Sequence, residues 1–455
     1  MLSAGQEPLS PGCRALLTSK AMSICGDQLA RVAVALLVLH QTHSVALAAV
    51  AFAASLIPGF VGATFLAGVG DRQSRRSVLI VGDAGRALVI VGLAIPHQPV
   101  WLVLCLVGLV SLLDGPCAAA RAALLKTLNR GTSHYQRATS VDEALSQTGQ
   151  AFGYLIGGSI VLLLGITNGL LLDAATFAVS GVLIAARVPR DQPPPAAAVA
   201  GPPGSASTWP ARDRAWQRRL MADSAIGWHA LLAPTCRPLI LRTWLMTAAT
   251  VAPEGVAVAW ATHLGHGPFE AGLLLAANPI GAVAGLIFLT VRKPANTAQL
   301  RGWLLALSLL PLIACAGNPS LLLACALVAV SGAGMTYSTL ARVAFAEAVP
   351  DSERARAFGI ASSGLMLSQG LGILLVGALA GPAGAPTAVA AAAVAAALLC
   401  LVVGRERARP SAPDKTAALT RASSGAPQPP HRTAAPLANS REQTAAVTPI
   451  EKRPR

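Results

Sequence analysis

Hydrophobic residues along this chain fall into long runs separated by short polar breaks. A bilayer core of ~30 Å takes roughly 20 predominantly apolar residues per helix. That ruler finds twelve runs, at 17–40, 44–67, 77–95, 100–120, 139–165, 169–186, 238–263, 269–291, 300–316, 320–345, 357–380 and 385–404. The fifth opens with a polar turn containing Asp142 and Glu143, so its apolar body starts nearer Ala144. The pattern predicts an all-α membrane protein of twelve transmembrane helices.

The breaks alternate in charge. One set, at 41–43, 96–99, 167–168, 264–268, 317–319 and 381–384, contains no Lys or Arg. The other carries Arg72, Arg75 and Arg76; Arg121, Lys126, Arg130 and Arg137; Arg187 and Arg190; Arg292, Lys293 and Arg301; Arg354 and Arg356; and Arg405 onward. Because Lys and Arg concentrate in cytoplasmic loops, both termini are expected in the cytoplasm. The polar start of the chain lacks a basic segment leading to a short apolar run and cleavage site, so no cleaved signal peptide is expected.

One break is far longer than the others and divides the chain into a 17–187 bundle and a 238–404 bundle, six helices each. Within the 188–237 linker, residues 192–207 are rich in Pro, Ala and Gly, the composition of a flexible or polyproline-like tether. Residues 208–238 interleave Trp209, Trp216, Met221, Ile226, Trp228 and Leu231 with Arg212, Arg214, Arg218 and Arg219. This is the pattern of a basic amphipathic helix on an anionic inner leaflet; an ordinary positive-inside linker is the alternative. Residues 1–16 read as a cytoplasmic N-terminal segment, and 405–455, almost without bulky apolar residues, as a disordered basic cytoplasmic tail.

Composition agrees with the membrane assignment. The 455 residues are 54% hydrophobic and 12% charged, and the mean hydropathy of +0.58 exceeds what a charged, water-facing surface allows. A formal charge of +15 would suit nucleic acid, but aromatics are only 4% and the arginines fall between apolar runs rather than on one polar face. The eight cysteines form no Cys-x-x-Cys pair and mostly lie inside apolar runs, as small core residues. Abundant Ala and an excess of Arg over Lys suggest GC-rich bacterial DNA, and hence a bacterial plasma membrane.

The densest charge in the first half is Gly68-Val-Gly-Asp71-Arg72-Gln-Ser-Arg75-Arg76, between the second and third runs. It resembles the signature loop of the major facilitator superfamily, with Ser74 where that family often has glycine. Other stretches resemble its drug and siderophore exporter branch, which includes the macrolide and enterobactin exporters: Gly26-Asp27-Gln28 with Arg31, Asp83-x-x-Arg86, Pro116 to Leu125 with Arg121, Gly149-x-x-x-Gly153 with Gly157-Gly158, Asp173-Ala-Ala-Thr-Phe177, and Ala276-Ala-Asn278-Pro279-x-Gly281. The resemblance covers residues 14 to 404. It implies the facilitator fold and a gating loop, Gly68, Asp71, Arg72, Arg75 and Arg76, that latches the two halves together against the start of the eleventh run. Gly68 and Gly70 allow a tight turn, and Asp71 suits a helix N-terminus or an arginine partner; arginines that merely hold topology are the alternative. The matching loop of the second half, Arg292-Lys293-Pro294, lacks the pattern.

Ionisable residues inside spans are costly and functional by default. Asp27 and Arg31, four apart, and Asp83 and Arg86, three apart, each share a helical face and can neutralise one another. Asp114 has Arg31, Arg86 or a loop arginine as possible partners, and with Asp83, Arg86 and Arg121 it reads as an intramembrane ion network. Glu254 lies between Pro253 and Gly255 with no basic residue within a turn. An unpaired carboxylate in low dielectric exchanges protons, so Glu254 leads the proton-coupling or substrate-binding candidates, ahead of Asp27 and Arg31; an interhelical hydrogen bond is its alternative role. Gly149, Gly153, Gly157 and Gly158 form a small-residue stripe for close helix packing. Proton-coupled drug antiporters carry Gly-Pro where this chain has Gly153-Tyr154, and their mid-span arginine in the fourth helix has no counterpart here. His40, His43, His97, His263 and His266 gather at the expected external ends and read as solvated interfacial residues, with a pH-sensing rim as the alternative.

No ATP-binding loop, Ser/His/Asp order or His-Glu-x-x-His occurs, so neither an enzyme nor a cofactor or metal site is expected. Two six-helix halves are the organisation of secondary transporters, with a substrate site near the midplane. The leading expectation is a monomeric exporter of small amphipathic molecules in exchange for protons. A dedicated exporter of a self-made siderophore or antibiotic, and a scaffold or sensor that no longer transports, are the alternatives. Its partners are then the small-molecule substrate, protons and the bilayer with its anionic inner leaflet, and not nucleic acid.

Overall fold

The computed structural model describes residues 10–65, 74–129, 132–190, 231–292 and 297–405. Gly68, Asp71 and Arg72 of the signature loop, the greater part of the linker with its tryptophans, and the tail after Arg405 lie outside the described residues.

Helices occupy every one of the twelve expected segments, and no strand occurs among the described residues. In chain order they are α1 (Pro11–Thr42), α2 (Val45–Ala54), α3 (Ile57–Phe65), α4 (Arg75–Leu93), α5 (Val100–Leu128), α6 (Thr132–Arg187), α7 (Arg237–His263), α8 (Pro268–Arg292), α9 (Thr297–Ala314), α10 (Leu321–Gly334), α11 (Tyr337–Ala348), α12 (Asp351–Ala383) and α13 (Ala385–Arg405). Large apolar side chains cover the outside. Leu88, Leu163 and Leu322 are each more than 70% exposed, an arrangement stable only where the surroundings are as apolar as the side chain.

Several boundaries differ from the expected ones, each for a local reason. α1 starts at Pro11 rather than residue 17, because Ser10 caps it, its side chain accepting from the Cys13 amide, and Pro11 suits the first turn. Arg75 and Arg76 belong to α4, not to the preceding loop: Ser74, where the family often has glycine, is its N-cap and accepts from the Ser77 amide at 3.2 Å. The second span is two helices, α2 and α3, parted at Ser55 and Leu56 just before Pro58. The tenth is likewise split between α10 and α11.

The largest correction concerns the fifth and sixth spans. Asp142 and Glu143 lie well inside a helix that starts at Thr132, not in an opening turn. The expected break at Thr167 and Asn168 is instead a single residue, Gly165, whose φ of 81° and ψ of 171° only glycine adopts freely. α6 thus has two arms, 132–164 and 166–187.

The first arm of α6 lies along α1. A Cβ on Gly153 would sit 2.9 Å from the Cys25 Cα and carbonyl oxygen, and one on Gly157 2.8 Å from the Leu29 Cα. These glycines set the helix separation, so Gly153→Val drives α1 away from a well-packed neighbour, a change that costs about 1–3 kcal/mol. Its melting temperature in detergent, followed by fluorescence-detected gel filtration, is expected to fall; an unchanged melting point would show that α1 and α6 do not depend on this contact.

The two halves meet along one end of the molecule. Gly158 of α6 faces Gly272 of α8, with 3.1 Å between a Cβ on Gly158 and the Gly272 Cα and 2.5 Å to the Pro268 carbonyl oxygen. Ala49 of α2 fills the space a Cβ on Gly377 of α12 would take. Trp260, Tyr154, Phe52 and Ile373 belong to the continuous apolar core that seals this end.

Candidate functional site

Toward the opposite end the halves part around a cavity of about 430 Å³. α1 contributes Lys20, Asp27 and Arg31, α5 Asp114 and Arg121, and α6 Asp142 and Gln150; the second half contributes Val251, Glu254, Asn278, Met335 and Gln369. The first-half wall is charged and the second-half wall is mostly apolar or amide.

At the mouth, Lys20 pairs with Asp142 at 2.7 Å, joining α1 to α6. The sequence does not point to this pair, because the residues are 122 apart and Asp142 sits in a helix where the pattern predicts a turn.

Deeper, Arg86 of α4 is 2% exposed and holds two carboxylates, Asp83 Oδ1 on Nη2 at 2.5 Å and Asp114 Oδ1 on Nη1 at 2.9 Å. Ser180 of α6 donates to the other Asp83 oxygen at 2.7 Å, and the Phe177 ring stacks 4.4 Å from the guanidinium. The expected Asp83–Arg86 pair is therefore present, and of three possible partners Asp114 takes Arg86. Arg121 feels the charges of Asp83, Arg86 and Asp114 but makes its hydrogen bonds elsewhere. It donates to the Leu16 carbonyl at 3.2 Å and the Ser19 hydroxyl at 3.1 Å, tying α5 to α1.

The expected Asp27–Arg31 pair does not close, as Asp27 has no cation within 4 Å among the described residues. Arg31 instead donates to Gln28 at 3.2 Å and lies 5.7 Å from the Phe52 ring. Its charge is shared among Tyr154, Asp27 and Glu254.

Glu254 is not the unpaired carboxylate its sequence neighbours suggested. The Tyr154 hydroxyl donates to Glu254 Oε2 at 2.9 Å, and Arg31 supplies the facing positive charge. Tyr154 is fully buried and belongs to the first half, Glu254 to the second. The bond thus crosses between the halves, at the inner end of the cavity. In the sequence Tyr154 stands where the related antiporters have proline, and its one signal is a tyrosine inside an apolar run, where a hydroxyl must find a partner. In α8, Asn278 donates to the Thr250 carbonyl at 2.6 Å, bracing α7 one turn before Glu254.

The glycine stripe divides by partner: Gly149, Gly153 and Gly157 face α1, whereas Gly158 faces α8. Of the signature loop, Arg75 donates to Thr127 at 2.9 Å and Arg76 to the Ala185 carbonyl at 2.5 Å, binding the start of α4 to α5 and to the second arm of α6. No group of three or more metal-ligating side chains occurs among the described residues.

This arrangement matches known proteins. The family model of the Major Facilitator Superfamily matches residues 16–294 and 243–449. An uncharacterized MFS-type transporter of Bacillus subtilis (strain 168), YfiS, is 26% identical over 177 residues, 38% of this chain and 41% of that protein, so the match spans under half of its length. Among solved structures, a bacterial homolog of the human lysosomal transporter Spinster, in an inward-facing and occupied conformation, superposes with a TM-score of 0.67 at 16% identity, over 90% of this chain and all of that one. A POT family transporter in complex with 5-aminolevulinic acid gives 0.66 at 11% identity, over 86% and 95%. With helices in all twelve expected segments and a polar cavity between its halves, the chain belongs to the major facilitator superfamily and is a multi-pass membrane transporter, not an enzyme.

Proposed function

We propose that this transporter is an exporter in the plasma membrane that moves small amphipathic molecules outward in exchange for protons, its halves, 17–187 and 238–404, alternating access to the central cavity. The observation that carries this is the Tyr154–Glu254 hydrogen bond, a contact between the halves made by an ionisable group at the inner end of the cavity. With Glu254 ionised, the Tyr154 hydroxyl and Arg31 hold the halves together. Protonation removes the charge that both partners recognise and frees the halves to rock, a rigid-body transition of the kind that switches bundles between two packings. Arg31 and Asp27, on the same wall, then meet the cargo. The apolar second-half wall of Val251, Pro279 and Met335 suits its apolar part.

Positive-inside charge puts the Lys20–Asp142 mouth on the cytoplasmic side, so the cavity faces inward, and the signature loop acts as the latch at that side once it closes. The sequence features shared with the drug and siderophore exporter branch support the export direction and a drug-like cargo.

Glu254→Gln keeps the size of the side chain and a hydrogen-bond acceptor but cannot exchange a proton. It is expected to abolish uncoupler-sensitive efflux of a fluorescent organic cation from cells while leaving membrane insertion intact. PH-dependent efflux equal to that of the unmodified protein would remove Glu254 from this role.

A further inference from the structure

A second, smaller chamber of about 80 Å³ lies beside the central cavity, within the first half, and Asp27, Ser55, Arg86, Ser111, Asp114 and Asp173 are among its walls. A water-sized occupant needs roughly 10–15 Å³ of such space. The chamber therefore takes a small ion with its water and is too small for an organic cargo.

Asp173, in the second arm of α6, is the group that no role described so far absorbs. It is completely buried. Its Oδ1 is 3.4 Å from the Thr176 hydroxyl, while Oδ2 has no hydrogen-bond partner among the described residues. The carboxylate presses on α1 at Gly26, where a Cβ would overlap Asp173 Oδ1 and the Thr176 hydroxyl. Asp27 is the next residue along α1, and its charge acts on Asp173.

The charged side chains in the chamber wall beside Asp173 are Asp27 and Arg31 on α1, Arg86 on α4 and Asp114 on α5, with Asp83 of α4 behind Arg86. Arg86 has both terminal nitrogens committed to Asp83 and Asp114, and Arg31, which also lines the chamber, shares its charge among Tyr154, Asp27 and Glu254. Asp27 and Asp173 are left without an ion pair inside the bundle. A buried carboxylate persists only when something neutralises it, and Asp173 has no ion pair among the described residues, whereas Asp27 is partly exposed to the central cavity.

We infer that Asp27 and Asp173 together form a monovalent-cation site in the first half, separate from Glu254, that captures a proton or a sodium ion from the central cavity. Asp27, which lines both cavities, is the entrance, and Asp173 is the buried anchor. Ser55 and Ser111 line the chamber and offer the neutral oxygens that a hard cation prefers.

The test uses the full-length protein in detergent. A hydrophobic carbodiimide reacts with protonated carboxyl groups in apolar surroundings, and mass spectrometry locates the adduct by peptide. Modification of the Asp27 or Asp173 peptide is expected, and it should persist in Glu254→Gln, which separates this site from the one proposed above. Modification that sodium chloride does not suppress relative to choline chloride assigns a proton. Suppression by sodium, with a sodium-dependent rise in melting temperature that Asp27→Asn loses, assigns sodium. No adduct at either peptide together with no sodium-specific rise in melting temperature overturns the site. Asp173→Asn, if it folds, should lose both signals, and its retention of either would remove Asp173 as the anchor.

Discussion

Replacing Arg86 with Gln is expected to be the most damaging single change to the stability of this protein. The guanidinium holds Asp83, which is fully buried, and Asp114, which faces the cavity with 56% of its side chain exposed. Gln leaves Asp83 with only the Ser180 hydroxyl. Removing one member of a buried pair costs about 3–5 kcal/mol because a charge remains uncompensated, against a total stability typically of about 5–15 kcal/mol. The Asp114 contact adds little to this, since solvent in the cavity screens it. Arg86→Lys keeps the charge but not the fork that serves two carboxylates, nor the stacking on Phe177, so it should fall between wild type and Gln. The decisive comparison is the double variant Asp83→Asn with Arg86→Gln, which removes both charges and should melt above Arg86→Gln alone in detergent. A double variant no more stable than the single one would mean that the guanidinium matters for its shape and not for its charge.

That network also marks where local sequence suffices. Asp83 and Arg86 are three apart on one helix, so their meeting follows from helical geometry. The spans were legible for a similar reason: a bilayer-length apolar run needs no knowledge of its neighbours. Asp27 and Arg31, four apart, share a helical face, yet no ion pair closes between them, and Arg31 is also attracted by Tyr154 and Glu254 from two other helices. Glu254 looked unpaired because its partner lies 100 residues away, a separation that no helical period spans. The turn between the fifth and sixth spans was misplaced by two residues because Thr167 and Asn168 are the polar pair, while Gly165 does the turning through backbone freedom alone. Asn168 instead donates to the Leu164 carbonyl at 2.9 Å, across that turn.

Gly272→Leu is expected to have the largest effect on transport of any change that leaves the separate halves intact. Gly272 lies against Gly158 and the Tyr154 carbonyl, 2.5 Å from where a Cβ would sit, so no side chain fits while the sealed end is closed. The neighbour is backbone, not a flexible side-chain tip, and close-packed helices do not yield by that much without moving as bodies. In the opposite state, with the halves parted at this end, a leucine has room. The substitution therefore biases the equilibrium between two packings, and an equilibrium moves only as far as the difference in fit between the states. Overpacking costs about 1–3 kcal/mol, a five- to hundredfold shift at roughly 1.4 kcal/mol per factor of ten. Spin labels at His43 and Gly381, exposed residues in the α1–α2 and α12–α13 regions of that end, should report a longer distance in Gly272→Leu than in the unmodified protein. Efflux should drop toward that of cells lacking the transporter, because a transporter held in one state cannot cycle. Gly158→Ala, a smaller intrusion at the same crossing, should give an intermediate distance and partial efflux. A protein carrying Gly272→Leu that kept both the short distance and full efflux would show that the Gly158–Gly272 crossing does not open during transport, and the moving surfaces would have to be sought at α2 and α12.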